Sequence, residues 1–264
     1  MAEISVKVLD QNGKTLAVSR GTDEVNLVYS AAYQEGDRIV VDTSESKDYY
    51  WLQVDDALGR DLVFFKEGTF SYPIPFGSKR IQLSPKTFQG EKHLLSVKKA
   101  KPFEYLAYRN LSRNVNDHHA NATIFPHAFA NVETRGESVF AAMNAIDGVT
   151  AGESHGEWPY QSWGINQRPD AEMTIDFGRL VEVDRVVFYL RADFPHDNWW
   201  EKATLEFSDG ESQEFELYKT GAAQEFTFEP RRILWVKIKE MKKADDPSPF
   251  PALTQLEVYG KEAD

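Results

Sequence analysis

Short stretches of β-branched and aromatic residues recur along this chain every 8–12 residues or so, each closed by turn chemistry. That spacing leaves little room for long helices and predicts an all-β fold. In the first part the runs fall near 3–9, 14–18, 25–30, 38–42, 49–55, 61–66, 79–83 and 93–99. Asn12-Gly13 between the first two predicts a hairpin, because both turn positions favour left-handed backbone. Tyr72-Pro73-Ile74-Pro75 cannot sit in a central strand, since two prolines remove ladder donors, and so reads as an edge or a crossing loop. In the second part the runs are 171–177, 183–191, 203–208, 213–218, 225–229, 233–240 and 253–259, with Ser208-Asp209-Gly210 as another hairpin turn.

One short helix interrupts the pattern. Thr134-Arg135-Gly136-Glu137 matches a capping box, Val139, Phe140, Met143 and Ile146 follow at helical spacing, and Asp147-Gly148 stops the run. Lys98-Lys99-Ala100-Lys101-Pro102 reads as an exit from one folded unit. The expected organisation is therefore two β-sandwich (jelly-roll) domains, 1–105 and 106–264, of which the second carries the helix.

The 264 residues are enough for two cores. Charge is unevenly placed: residues 1–105 hold 14 Lys+Arg and 15 Asp+Glu, whereas 106–264 hold 16 and 27. An acidic surface of this kind excludes nucleic acid and anionic membranes as partners, because phosphate binding needs a basic face. Neutral ligands, cations and sugars stay open. There is no cysteine, so disulfide and thiolate chemistry are excluded. No run approaches the roughly 18–20 apolar residues of a membrane helix. The first residues show no basic-then-apolar pattern, so no signal peptide is visible and a cytoplasmic location is the default expectation.

The order of segments after residue 130 carries a resemblance. Asn144-Ala145-Ile146-Asp147-Gly148 is followed by Ser162-Trp163, then Met173-Thr174-Ile175-Asp176-Phe177-Gly178, then Val183-Asp184-Arg185-Val186-Val187-Phe188-Tyr189, and finally Leu256-Glu257-Val258-Tyr259-Gly260. This series resembles the galactose-binding-like, discoidin-type (coagulation-factor C-type) family. The resemblance covers about half the chain and implies a jelly roll that binds ligand through its loops, most often carbohydrate. It also implies a structural Ca2+ beside the A-x-D-G turn, with Asp147 and the Ile146, Val149 and Thr150 oxygens as ligands. The family's final-strand Glu is replaced here by Gln255, whose carbonyl lacks the charge, so calcium affinity is expected to fall.

Two loops are richer in polar and aromatic residues than a turn requires. One holds Glu153, His155, Glu157, Trp158, Tyr160 and Trp163, and the other Arg191, Asp193, His196, Asp197, Asn198, Trp199 and Trp200. Sugar recognition needs an aromatic face for the C–H side of the ring and planar polar groups for the hydroxyls. The expected ligand contacts are therefore Arg191, Asp193, His196, Asn198, Trp199, Trp200, Trp158, Tyr160, His155 and Glu157. If 199–200 is extended, only one of the two tryptophans can face a ligand, while Trp163 is expected to pack. The Pro-rich 242–251 segment is either a wall of the site or a rigid connector. Asp117, His118, His119 and His127 offer transition-metal chemistry, but without the spacing of a zinc enzyme, so an ordinary polar segment is the stronger reading.

The resulting expectation is a non-catalytic carbohydrate-binding protein for a neutral sugar. A protein-interaction module is the alternative. A glycan-active enzyme using loop carboxylates comes third, since no nucleophile elbow, phosphate loop or metal-ligand spacing occurs.

Overall fold

The computed structural model describes residues 1–153, 155–192 and 198–263. The first half forms β1 (Glu3–Leu9), β2 (Thr15–Thr22), β3 (Glu24–Tyr29), β4 (Arg38–Thr43), β5 (Asp48–Gln53), β6 (Asp61–Phe65), β7 (Thr69–Pro73) and β8 (His93–Lys99). A four-residue helix α1 (Pro102–Tyr105) leads to β9 (Arg109–Asn110), β10 (Ile124–Phe125), β11 (His127–Ala130), β12 (Trp163–Gly164) and β13 (Met173–Leu190). The chain closes with β14 (Trp200–Phe207), β15 (Ser212–Glu216), β16 (Gln224–Lys243) and β17 (Ala252–Glu262).

Alternation dictates the first half. Ile4, Val6 and Val8 of β1 and Val25, Leu27 and Tyr29 of β3 point inward while their neighbours face outward. A sheet ordered β2-β1-β4-β7 faces a second ordered β10-β6-β5-β8-β3, and one hydrophobic cluster fills the space between them. The Asn12-Gly13 hairpin forms as expected: Gly13 is left-handed (φ 82°), and the Asp10 carboxylate accepts from the Asn12 and Lys14 amides at 2.9 Å. Tyr72-Pro73 lies in β7, the edge of its sheet, where a missing donor costs little. No strand forms at 79–83. A 3-10 turn at Gly77–Lys79 occupies part of that stretch, and the Ile81 carbonyl instead accepts from the Trp158 amide at 2.8 Å.

In the second half, the expected runs 171–177 and 183–191 fuse into the single long strand β13. Its register shifts between Asp176 and Val181, at a bulge built on left-handed Gly178 (φ 68°). A Cβ there would lie 2.4 Å from the Phe125 ring, so the site admits only glycine. One sheet, β12-β17-β13-β16-β14-β15, with β11 on β13 and β9 on β17, surrounds a second cluster that includes Trp163, Phe177, Phe188, Trp200 and Phe207.

The expected helix is absent. Residues 134–136, 138–140 and 142–146 form three short 3-10 turns. Arg135 takes φ 53° and Ala141 is extended (ψ 151°), which breaks the helical path twice. Thr134 does not cap: its hydroxyl accepts from the Asn166 amide at 2.9 Å, while Glu137 turns to Arg135 at 2.5 and 2.7 Å. The apolar spacing of Val139, Phe140 and Ile146 serves burial, not helix formation.

The two cores are joined through polar contacts. β10 pairs β6 and Ile124 enters the first core, so contact with the first half continues well past residue 105. Arg179 donates to both Glu262 oxygens at 2.8 and 2.9 Å and to the Tyr49 hydroxyl at 3.0 Å, and stacks over the Tyr49 ring at 5.1 Å. Burial pushes the Glu262 carboxyl up, but hydrogen bonds from Arg179, Tyr49 and Arg109 overcome it and hold it below the usual range.

Candidate functional site

Arg191 follows the end of β13 and organises one end of the second sandwich. Its amide donates to the Ala252 carbonyl at 3.0 Å, and its guanidinium donates to Ser162 Oγ at 3.2 Å and the Phe250 carbonyl at 3.3 Å. The Tyr160 and Phe140 rings flank it at 4.7 and 5.6 Å. A guanidinium packed against two rings and hydrogen-bonded to Ser162 and Phe250 is preorganised, so little rotamer entropy remains to be lost on binding.

Beside Arg191 opens a cleft of about 110 Å³, bordered by Arg135, His155, Asn166, Gln167 and Phe250. His155 is exposed and meets Tyr160 edge-on at 5.1 Å. Pro249, Phe250 and Pro251 form one wall of this cleft. Asn166 and Gln167 are both left-handed, with φ of 50° and 59°. Two successive non-glycine residues in that region store strain, which in folded proteins collects at functional sites. Neither residue was expected from the sequence, nor was Arg135. Asn166 tolerates left-handed backbone, and the short turn between β12 and β13 is the only local signal that could have pointed to it.

The other expected contacts lie elsewhere. Trp200 is fully buried, 6.3 Å from Trp163 ring to ring, so it packs the core and cannot stack on a ligand. Asn198 is likewise buried and donates to the Ser248 carbonyl, tying loop to loop. Trp199 is half-buried with the Lys219 ammonium 5.1 Å from its ring. Tyr160 is buried beneath Arg191. Glu157 is exposed, and Trp158 faces a different cleft, at the junction with the first half. Asp193 and His196, with Asp197, lie outside the described residues.

The expected calcium ligands form a closed hydrogen-bond network. Asp147 Oδ1 accepts from the Val149 amide at 2.8 Å and Gln255 Nε2 at 2.7 Å, and Oδ2 accepts from Gln161 Nε2 at 2.7 Å. Gln255 Oε1 is taken by the Gly148 amide at 2.9 Å, and the Ile146 carbonyl by the Asn114 amide at 2.9 Å. Thr150 is exposed. N–H donors therefore point where a cation would have to sit, and the set as arranged does not fit calcium. Enclosure pushes the Asp147 carboxyl up to about 7, against the pull of these donors and of Arg113.

The histidines of the 117–127 segment each have a polar partner. His118 bonds the Ser71 carbonyl at 2.9 Å, His119 pairs with Glu133 and His127 with Asp117, both at 2.8 Å. Among the described residues no three His, Asp or Glu side chains are grouped to hold a metal. No helix of the described residues is long and apolar enough to cross a membrane.

A family model described as a domain of unknown function (DUF7402) matches residues 124–248. No curated protein matches the chain. Among solved structures, the chain is similar to chitosan-binding module 1 derived from a chitosanase/glucanase of Paenibacillus sp. IK-5, at 20% identity over 58% of this chain and 99% of that one, with a TM-score of 0.38. It is similar to the lectin domain of lectinolysin complexed with Lewis B antigen, at 19% identity over 59% of this chain and 98% of that one, with a TM-score of 0.42. It is also similar to the family 32 CBM from C. perfringens NanJ in complex with galactose, at 18% identity over 50% of this chain and 91% of that one, with a TM-score of 0.39.

Proposed function

We propose that this chain is a carbohydrate-binding protein and that it takes a neutral sugar in the cleft beside Arg191. The observation that supports this reading is the convergence of a preorganised Arg191, His155, Asn166 and Gln167 with the Phe250 and Phe140 rings at one loop end of the sandwich. Planar donors and acceptors serve hydroxyl pairs, and the Phe250 side chain offers an apolar surface to the C–H side of the sugar ring. Arg135 is already paired with Glu137, and the chain's net charge of −12 works against polyanions.

A glycan array that includes uronic-acid and sialylated members tests this. Binding to neutral glycans, lost in His155→Ala, is expected. Binding confined to acidic glycans would remove neutrality, and a flat array would remove the carbohydrate reading.

A further inference from the structure

Between Leu111 and Ala128 the chain leaves the second core, enters the first and returns. Leu111 and Ala128 belong to the second cluster, whereas Ile124 belongs to the first. This tongue is anchored in the first half along its length. His118 Nε2 donates to the Ser71 carbonyl at 2.9 Å, the Lys66 amide donates to the Thr123 carbonyl at 2.9 Å, and Ile124 and Phe125 pair with β6.

One side chain closes its neck. The Asp117 carboxylate is fully buried and accepts from His127 Nδ1 at 2.8 Å, the Ala128 amide at 2.9 Å and Asn121 Nδ2 at 2.7 Å. The points where the tongue departs and returns are thus held by one group, and of its donors only His127 titrates. The His127 side chain is 14% exposed and borders an open cleft with His119, Phe129 and Glu133, so its proton exchanges with water.

The charged groups that face His127 are Asp117, Asp176 opposite it on β13, and His119, itself paired with Glu133. Burial pushes the His127 imidazole down, but the Asp117 bond and the Asp117 and Asp176 charges overcome it and hold it above the usual range. Such a group stabilises fully below its ordinary 6.5, and its contribution is lost as pH rises through the raised folded value. His118 has the opposite sign. Burial beside Phe70 and Tyr72 lowers its pKa, so its contribution is lost only as pH falls below 6.5. Above pH 6.5 the titration of the tongue therefore belongs to His127 and to His119, which the Glu133 bond also holds up.

We propose that Asp117 and His127 form a pH-sensitive clasp on this tongue. With His127 charged the neck is closed and the halves are tied together. With His127 neutral the tongue opens locally more often, and the coupling of the halves weakens.

The test is hydrogen exchange by mass spectrometry on the full chain at pH 6.5, 7.5 and 8.5, corrected for the intrinsic pH dependence of exchange and read on residues 118–128 and 63–66. Protection there should fall by about fivefold across this range in wild type, as a charge-assisted hydrogen bond becomes a neutral one. His127→Gln keeps an N–H donor for Asp117 and cannot titrate, so its protection should not vary with pH. His119→Gln removes the neighbouring imidazole and should behave as wild type does. Constant protection in wild type overturns the proposal, as does an equal fall in wild type and His127→Gln. A fall that His119→Gln abolishes also overturns it, because the titrating group is then the His119–Glu133 pair.

Discussion

Asp147 and Gln255 decide whether the second sandwich needs a metal. The Gln255 amide donates to Asp147 and to the Asn144 carbonyl while accepting from Gly148, so its NH2 stands where a cation would. Adding chelator should therefore leave Tm unchanged. Gln255→Glu would set two carboxylates against each other, and should cost about 3 kcal/mol in urea denaturation, recovered by millimolar calcium. A variant as stable as wild type without calcium would show that the amide is not the cation's substitute. Asp147 also gives a pH signature. Its folded pKa of about 7 lies above its ordinary 3.8, so its contribution is fully present below about pH 4 and is lost as pH rises through 7. Relative to Asp147→Asn, the wild type should lose Tm between pH 4 and 7, and parallel pH profiles would refute the shift. The tryptophan pair was only half legible. Alternation says that one of Trp199 and Trp200 must be buried, but only packing says which. Trp200→Ala should cost about 3–5 kcal/mol, against about 1 kcal/mol for Trp199→Ala.

At the scale of elements, the strands were legible because burial on one face imposes period two, and Asn12-Gly13 and Asp209-Gly210 sit at the turns that join neighbours. The helix over 134–146 was misread for a physical reason. Its apolar spacing fits a helix, yet Thr134 is drawn off by Asn166 and Arg135 adopts left-handed backbone, both consequences of tertiary contacts. The bulge in β13 was equally hidden, since Gly178 reads as a strand end until Phe125 is seen against it. Gly178→Ala should cost about 2–3 kcal/mol, from strain and a clash with the ring, measurable as a shift in urea midpoint at constant slope. Arg191 and His155 were legible as loop residues in unusual company. Asn166, Gln167 and Arg135 reach the same cleft from other segments, and no local pattern announces that meeting.

Across the whole molecule, two cores meet through the Arg179–Glu262–Tyr49–Arg109 cluster, through β10 on β6, and through the junction cleft. Glu262 and Arg179 are 9% and 10% exposed, so breaking the pair leaves a charge uncompensated. Glu262→Ala should lower stability by about 3–5 kcal/mol and split one calorimetric transition into two, as the cores lose their coupling. A single transition at nearly unchanged temperature would mean that the cluster does not join them. The central claim, a sugar site beside Arg191, is tested most directly by calorimetric titration of one neutral glycan taken from the array. The account predicts one saturable site per chain in wild type, at least tenfold weaker in Gln167→Ala and His155→Ala with Tm preserved. Equal affinity in all three proteins would contradict it.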